Sequence, residues 1–364
     1  MSNKKILFSA YSLDLGGIET ALISLINYLA QKEYDITLVL EKKQGIFLNK
    51  LNENIKVIEY KPSYCKLRII SKLVNTFKRI KFIAKYKNEF DFSCSYATYC
   101  QMASFVARTA SENNALWVHN NYFDFFNKNE QEYKNFFLKI QSSEFKNIVF
   151  VSNESKVQYA EKIENKEQNL IVCNNLIDYK KIQNLSNEKI ELKKEENVIT
   201  FLNVGRHDEK QKKLTRLFNA AKKLVEENLQ FRIILVGEGE ETENYKKIVE
   251  SYNLNDKVIF IGKTTNPYPY YKIADSVILT SEFEGYPVVF VESQIMEKPI
   301  ITTNVSDSEL EINNKYGIVI NKDDESIYNA MKEFIKNKFI IKEKFQPEKY
   351  NEDIIKKVEE IING

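Results

Sequence analysis

Two glutamates eight positions apart, Glu284 and Glu292, stand in the segment TSEFEGYPVVFVE with Gly285 and Pro287 between them. Carboxylates accept hydrogen bonds from vicinal hydroxyls, so a pair flanking a turn into a helix can hold several sugar hydroxyls. The amides of Val288 and Val289, exposed where that helix begins, would point at a diphosphate. Upstream, Arg206 and the run Lys210-Gln211-Lys212-Lys213 follow the apolar LNVG. A guanidinium fork and a mobile ammonium clamp phosphate, although the same residues also read as a solvated basic loop. Near the start, Gly16-Gly17 precede a helix expected over 20–31. Such a pair either lets an anion reach helix amides or serves a tight turn with positive φ. His119 closes the tetrapeptide WVHN at its third position. A lone histidine is by default structural, but its place after a strand favours ligand contact. His207 reads as a loop residue. The segment GEGEET at 237–242 lacks the third glycine of a dinucleotide fingerprint and puts acids where a pyrophosphate would sit. A nicotinamide is therefore not expected there.

These residues need elements to hold them. Short apolar runs recur at 6–10, 36–40, 55–60, 92–96, 116–119 and 148–152, then at 198–204, 231–236, 258–261, 276–280, 299–302 and 317–320. Near-continuous hydrophobicity means burial on both faces, as in parallel sheets covered by helices. Strand–helix alternation throughout predicts an α/β protein of doubly wound units. The pattern restarts near residue 198 after the polar segment 183–197, which reads as a linker between an N-terminal domain (1–182) and a C-terminal domain (198–346). A last helix, Asp353–Ile362, follows Pro347 within 347–364. Open α/β sheets bind ligands beyond the carboxyl ends of their strands, so two such domains facing each other would form a cleft.

Taken in order, the LGGIE loop, WVHN, Asn174-Asn175-Leu176-Ile177-Asp178, NVGRHDEKQKKL, VGEGEE and KIADSVILTSEFEGYP with Glu284…Glu292 resemble retaining family 4 glycosyltransferases of the GT-B fold. The resemblance runs from residue 6 to about 320 and implies two Rossmann-like domains, with the first binding the acceptor. It implies that Arg206 and a following lysine hold the donor diphosphate, that Glu292 binds the nucleotide ribose and that Glu284 binds the transferred sugar. His119 matches the histidine beside the reacting carbon. By the same resemblance the last helix crosses back to the first domain. One departure stands out: relatives carry Lys-Gly five residues after the arginine, whereas Gln211 holds that spacing here. Lys212 is then the expected diphosphate ligand, with Lys213 as the alternative. The implied reaction is front-face transfer with retention from a nucleotide sugar, a UDP-sugar favoured, to a saccharide or lipid-linked saccharide, in polysaccharide or glycoconjugate assembly.

Composition narrows the alternatives. A length of 364 residues suits two domains, and a net charge of +2 gives no global attraction to nucleic acid. With two histidines and four unclustered cysteines, no metal or resident cofactor is expected and the thiols fit a reducing cytoplasm. Asp14 interrupts the first apolar run, so a buried strand is expected rather than a leader. Residues 1–180 carry +6 and the remainder −4. Residues 61–87 hold nine basic side chains and no acid, with Leu67, Ile70, Val74 and Phe77 at helical spacing. That stretch reads as a cationic amphipathic helix, packed on the first domain or touching an anionic membrane through Lys78, Arg79, Lys81 and Lys85. Two rival readings remain: a GT-B epimerase or hydrolase, for which His119 is the one acid/base candidate, and a non-catalytic partner subunit.

Overall fold

The computed structural model describes residues 4–32, 34–64, 66–163 and 167–364. They form two compact units, one running to Ile177 and including Glu348–Gly364, the other spanning Asp178–Pro347. The first unit holds β1 (Lys5–Ala10), β2 (Asp35–Leu40), β3 (Lys56–Glu59), β4 (Phe92–Ser95), β5 (Asn114–Val118), β6 (Asn147–Phe150) and β7 (Asn169–Val172). They make an all-parallel sheet ordered β3-β2-β1-β4-β5-β6-β7. The second holds β8 (Ile199–Val204), β9 (Phe231–Val236), β10 (Val258–Gly262), β11 (Ser276–Leu279), β12 (Ile300–Thr303) and β13 (Gly317–Ile320). Its parallel order is β10-β9-β8-β11-β12-β13. Strands such as FRIILV and NALWV are buried at every position because helices cover both faces.

Strand order reverses between β1 and β4 in the first sheet and between β8 and β11 in the second. Crevices beyond the carboxyl ends at such switch points are where ligands bind in open α/β sheets. The loops that follow β1, β8 and β11 contain Gly16, Arg206, Lys212, Glu284 and Gly285, and Gly17 opens the helix after β1. Among the described residues, the sequence reading found twelve of thirteen strands; β7, a four-residue edge strand, was missed.

The segment 183–197 is stitched to the second unit. Leu185 O accepts from Asn266 Nδ2 at 3.0 Å, Lys193 O from Arg232 Nη2 at 2.7 Å, and Lys194 Nζ pairs with Asp275 at 2.9 Å. The last helix, Pro347–Asn363, begins earlier than its apolar spacing suggests and packs on the first unit. Asn351 Nδ2 donates to Ile177 O at 2.7 Å, and Asn113 Nδ2 to Ile362 O at 3.0 Å. Ile354, Val358, Ile361 and Ile362 form its buried stripe. Cys94, Cys100 and Cys173 are free and buried, whereas Cys65 lies outside the described residues. None of the described helices is long and apolar enough to cross a membrane.

Because Ile361 is 4 % exposed, Ile361→Ala leaves a cavity under this helix. Denaturant unfolding should show a loss of about 2–5 kcal/mol; an unchanged midpoint would mean that the helix does not help hold the first unit.

Candidate functional site

In the second unit, the loops after β8 and β11 are tied to each other. Glu282 N donates to Gln211 O at 2.7 Å, and Thr280 Oγ1 donates to Lys212 O at 2.9 Å. Asp208 shapes the first loop, its carboxylate accepting from Gln211 N at 3.1 Å. Lys213 turns left-handed (φ 50°) to start the helix Leu214–Glu226. On the other side the GEGEET segment braces the loop. His207 N donates to Glu238 O at 3.2 Å, and Gly237 (φ +138°) lies so close that a Cβ there would sit 1.9 Å from Gly205 O.

Glu284 is the hub of this arrangement. Its carboxylate is buried and takes Lys212 Nζ at 2.5 Å and Ser281 Oγ at 2.7 Å on Oε1, and Gln211 Nε2 at 3.1 Å on Oε2. Gln211, the residue that departs from the expected Lys-Gly, also lies 3.5 Å from Arg206 Nη2. It therefore links Arg206 to Glu284. Arg206 is largely exposed and pairs with Asp208 at 2.9 Å. Of the two candidate lysines, Lys212 reaches the carboxylate hub, while Lys213 serves the helix start through its backbone.

Glu292 stands apart from this cluster, buried within the helix Val288–Ile295. Tyr271 OH donates to Oε2 at 2.7 Å and Tyr268 OH to Oε1 at 3.2 Å. Burial raises the Glu292 pKa, opposed by the two tyrosine hydrogen bonds. A carboxylate offers about four lone-pair positions, so two stay open for further donors. No side chain caps the start of this helix, which leaves the Val288 and Val289 amides without a side-chain acceptor there. Gly285 O accepts from Ser306 Oγ, which fixes the preceding turn.

Residues 183–358 match the family model for glycosyl transferases group 1. An uncharacterized glycosyltransferase of Methanocaldococcus jannaschii is 24 % identical over 261 residues, 66 % of this chain and 61 % of that protein. The chain thus spans about three-fifths of that relative's length. An Escherichia coli protein named UDP-Gal:alpha-D-GlcNAc-diphosphoundecaprenol alpha-1,3-galactosyltransferase is 23 % identical over 87 % of this chain and 84 % of its own length. Among solved structures, Anabaena HepE in complex with UDP and glucose superposes with a TM-score of 0.73 at 18 % identity, covering 98 % of this chain and 100 % of HepE. The two Rossmann-like parallel-sheet units are those of the GT-B fold.

The remaining candidates lie in the first unit. His119 follows β5 with its ring 4.4 Å from that of Tyr96. Burial pushes its pKa down to about 3, a hydrogen bond to the Tyr96 backbone acting the other way. Nε2 is buried and has no hydrogen-bond partner among the described residues, so that bond engages Nδ1. His207, read as a loop residue, lies in the loop after β8, buried against Tyr245 and Phe260, with Nδ1 2.9 Å from Thr242 Oγ1.

The glycine pair corrects the sequence reading. Gly16 is extended (φ −172°) and Gly17 opens α1 (Gly17–Gln31), so neither needs positive φ. A Cβ on Gly16 would fall 2.2 Å from Glu19 Oε2. The Glu19 carboxylate, in the first turn of α1 and bonded to its own backbone, lies against Gly16. The basic patch is partly tied down. It lies on α2 (Arg68–Tyr86), where Lys78 Nζ turns inward to Lys61 O at 2.7 Å and Arg79 leans over the Phe105 ring at 5.1 Å. Arg79, Lys81 and Lys85 remain exposed.

Sequence reasoning missed two features. Tyr268 and Tyr271 were visible only as the aromatic cluster PYPYY. The other is a cavity of about 500 Å³ in the first unit, lined by Tyr60, Tyr64, Tyr99, Arg79, Phe105 and Glu41. Buried Glu41 accepts from Tyr64 OH at 2.6 Å and from Cys100 Sγ at 3.3 Å. Aromatic faces around a buried carboxylate suit a ring bearing hydroxyls.

The His119 shift sets a pH dependence. The unfolded chain takes up a proton near pH 6.5 that the native chain refuses until about pH 3, so stability falls as pH drops below 6.5. Between pH 7 and pH 5, His119→Asn should lose about 2 kcal/mol less stability than wild type in denaturant titrations. Equal losses would mean that the imidazole titrates normally in the folded protein.

Proposed function

We propose that the protein transfers a sugar with retention from a nucleotide sugar, a UDP-sugar, to a saccharide acceptor carried on lipid, without a metal ion. The observation that carries this reading is the cluster Arg206–Gln211–Glu284–Lys212 at the β8/β11 switch point, with Glu292 buried apart from it and bonded by Tyr268 and Tyr271. Arg206, Lys212 and the amides of Val288 and Val289 hold the diphosphate and stabilise its charge as it leaves. Glu292 accepts the ribose hydroxyls on its open lone pairs, Glu284 accepts hydroxyls of the transferred sugar, and His119 Nε2 accepts one more. The bond from the anomeric carbon to the phosphate oxygen breaks. The acceptor oxygen bonds that carbon on the same face, and its proton passes to the departing phosphate. In this reading the cavity beside Glu41 receives the acceptor saccharide.

UDP in the Anabaena structure and the undecaprenol-linked acceptor in the E. coli relative's name support the choice of donor and acceptor classes. A lipid-carried acceptor places the enzyme in the cytoplasm at the inner membrane surface, in polysaccharide or glycoconjugate assembly. For the epimerase or hydrolase reading, His119, held neutral by burial, offers a base but not a ready acid at neutral pH.

UDP should raise the melting temperature where GDP and ADP do not, a ligand at about 100 times its Kd adding about 2.7 kcal/mol. Transfer from a UDP-sugar should persist in excess chelator; full loss restored by Mg²⁺ or Mn²⁺ would overturn metal independence.

The two glutamates should separate in calorimetric titrations with UDP. Glu292→Ala weakens UDP by about tenfold, the loss of about 1.5 kcal/mol of charged hydrogen bonding. Glu284→Ala frees Lys212 from its carboxylate, so UDP affinity holds or rises while turnover drops. Equal weakening by both changes would contradict the assignment.

A further inference from the structure

Amphipathic surface helices turn their apolar stripe towards the protein, but α2 does the reverse. Of its 19 residues only Phe82 is buried. The side facing the protein runs Ser71, Asn75, Lys78, Phe82 and Tyr86, at helical spacing. It is fastened largely by polar contacts: Ser63 N donates to Asn75 Oδ1 at 2.6 Å, Asn75 Nδ2 to Ser63 O at 3.1 Å, and Lys78 Nζ to Lys61 O at 2.7 Å. On the opposite side Ile69, Leu73, Phe77 and Ile80 are 77, 66, 70 and 59 % exposed. Ile70, Val74 and Ile83 widen this stripe, and Leu67 extends it at the start. A contiguous apolar surface this long is not left in water without a partner.

Charge selects the partner. Lys81 and Lys85 flank the stripe on one side and Arg68 and Lys72 on the other, with no acid anywhere in 61–87. A second copy of the chain docking here would set two such basic rims against each other. An anionic bilayer complements both features, taking the stripe among its acyl chains and the rim at its headgroups.

We propose that α2 lies in the plane of an anionic membrane with Ile69, Leu73, Phe77 and Ile80 inserted below the headgroups. The protein is then anchored by apolar insertion, with the charges steering and reinforcing it. Asn75 and Arg79, on the same helix, line the Glu41 cavity, so insertion brings that cavity to the bilayer surface. This deepens the lipid-carried acceptor of the proposed function, but membrane binding stands or falls without any sugar transfer.

The test is sedimentation of the full chain with vesicles of phosphatidylglycerol and phosphatidylcholine. Wild type should pellet with them at low salt and in part at about 1 M salt, because screening weakens the charges but not insertion. Leu73→Ser/Phe77→Ser/Ile80→Ser should lower partitioning by at least about tenfold at both salt levels. Its unfolding transition should stay at the wild-type position, since all three side chains already face water. Lys81→Gln/Lys85→Gln should weaken binding at low salt only. The emission of a Phe77→Trp variant should shift blue on vesicles. Three results would overturn the proposal: wild type remaining in the supernatant at low salt, the triple serine variant binding like wild type, or a lipid-free dimer that this variant dissociates. Vesicle binding without any transfer from UDP-sugars would instead sink the catalytic reading alone.

Discussion

A carboxylate withdrawn from water is costly unless charge and hydrogen bonds close on it, and Glu284 is such a group. Lys212, Gln211 and Ser281 supply them, drawing the loops after β8 and β11 together. Much follows from that closure. The backbone of Gln211 and Lys212 is held by Glu282 and Thr280, and Lys213 can turn left-handed and start its helix. Arg206 is oriented by Asp208 and Gln211. Arg206 and Lys212 therefore each already have an acidic partner, and a diphosphate bound as proposed would take them in exchange. Such a site discriminates by how well a ligand replaces existing bonds rather than by bare charge.

The fold was legible because both sheets are parallel and buried. Runs such as FRIILV carry no alternation to confuse with a surface strand, and only the short edge strand β7 escaped notice. The positions of Arg206, Glu284 and Glu292 followed from the rule that ligands gather beyond strand ends. Their neighbours did not. Gln211 looked like a displaced loop residue, and only its amide bridging Glu284 to Arg206 gives it a role. Tyr268 and Tyr271 reach Glu292 across more than twenty positions, which no local spacing encodes. Glu41 joins a cavity whose other walls follow β1, β3 and β4 or belong to α2, a convergence made by topology alone.

The two histidines show where residue type misleads. Both are buried enough to lower their pKa, yet their surroundings differ. His207 is enclosed by Tyr245 and Phe260, and its backbone pairs with Glu238 and Glu241, so it holds the Arg206 loop against the GEGEET segment. His119 stands at the carboxyl end of β5 beside Tyr96, with one ring nitrogen engaged and the other without a partner among the described residues.

Orientation is the property a periodic pattern cannot carry. The spacing of Leu67, Ile70, Val74 and Phe77 states that α2 has an apolar face, and it is silent on whether that face looks in or out. Tertiary contacts decide, and here the polar side is chosen, because Ser63 and Lys61 present backbone groups that need Asn75, Ser71 and Lys78. Satisfying them turns the helix by about half a revolution from the usual arrangement, and the apolar stripe goes to the outside as a consequence. The excess of +6 in residues 1–180 is concentrated around the same helix, since 61–87 alone holds nine basic residues. Inverted packing and one-signed charge are separate features of the sequence, and a soluble surface helix would need neither. Their coincidence on one element, next to the cavity proposed for the acceptor, ties the first unit's shape to the surface from which a lipid-carried sugar would arrive.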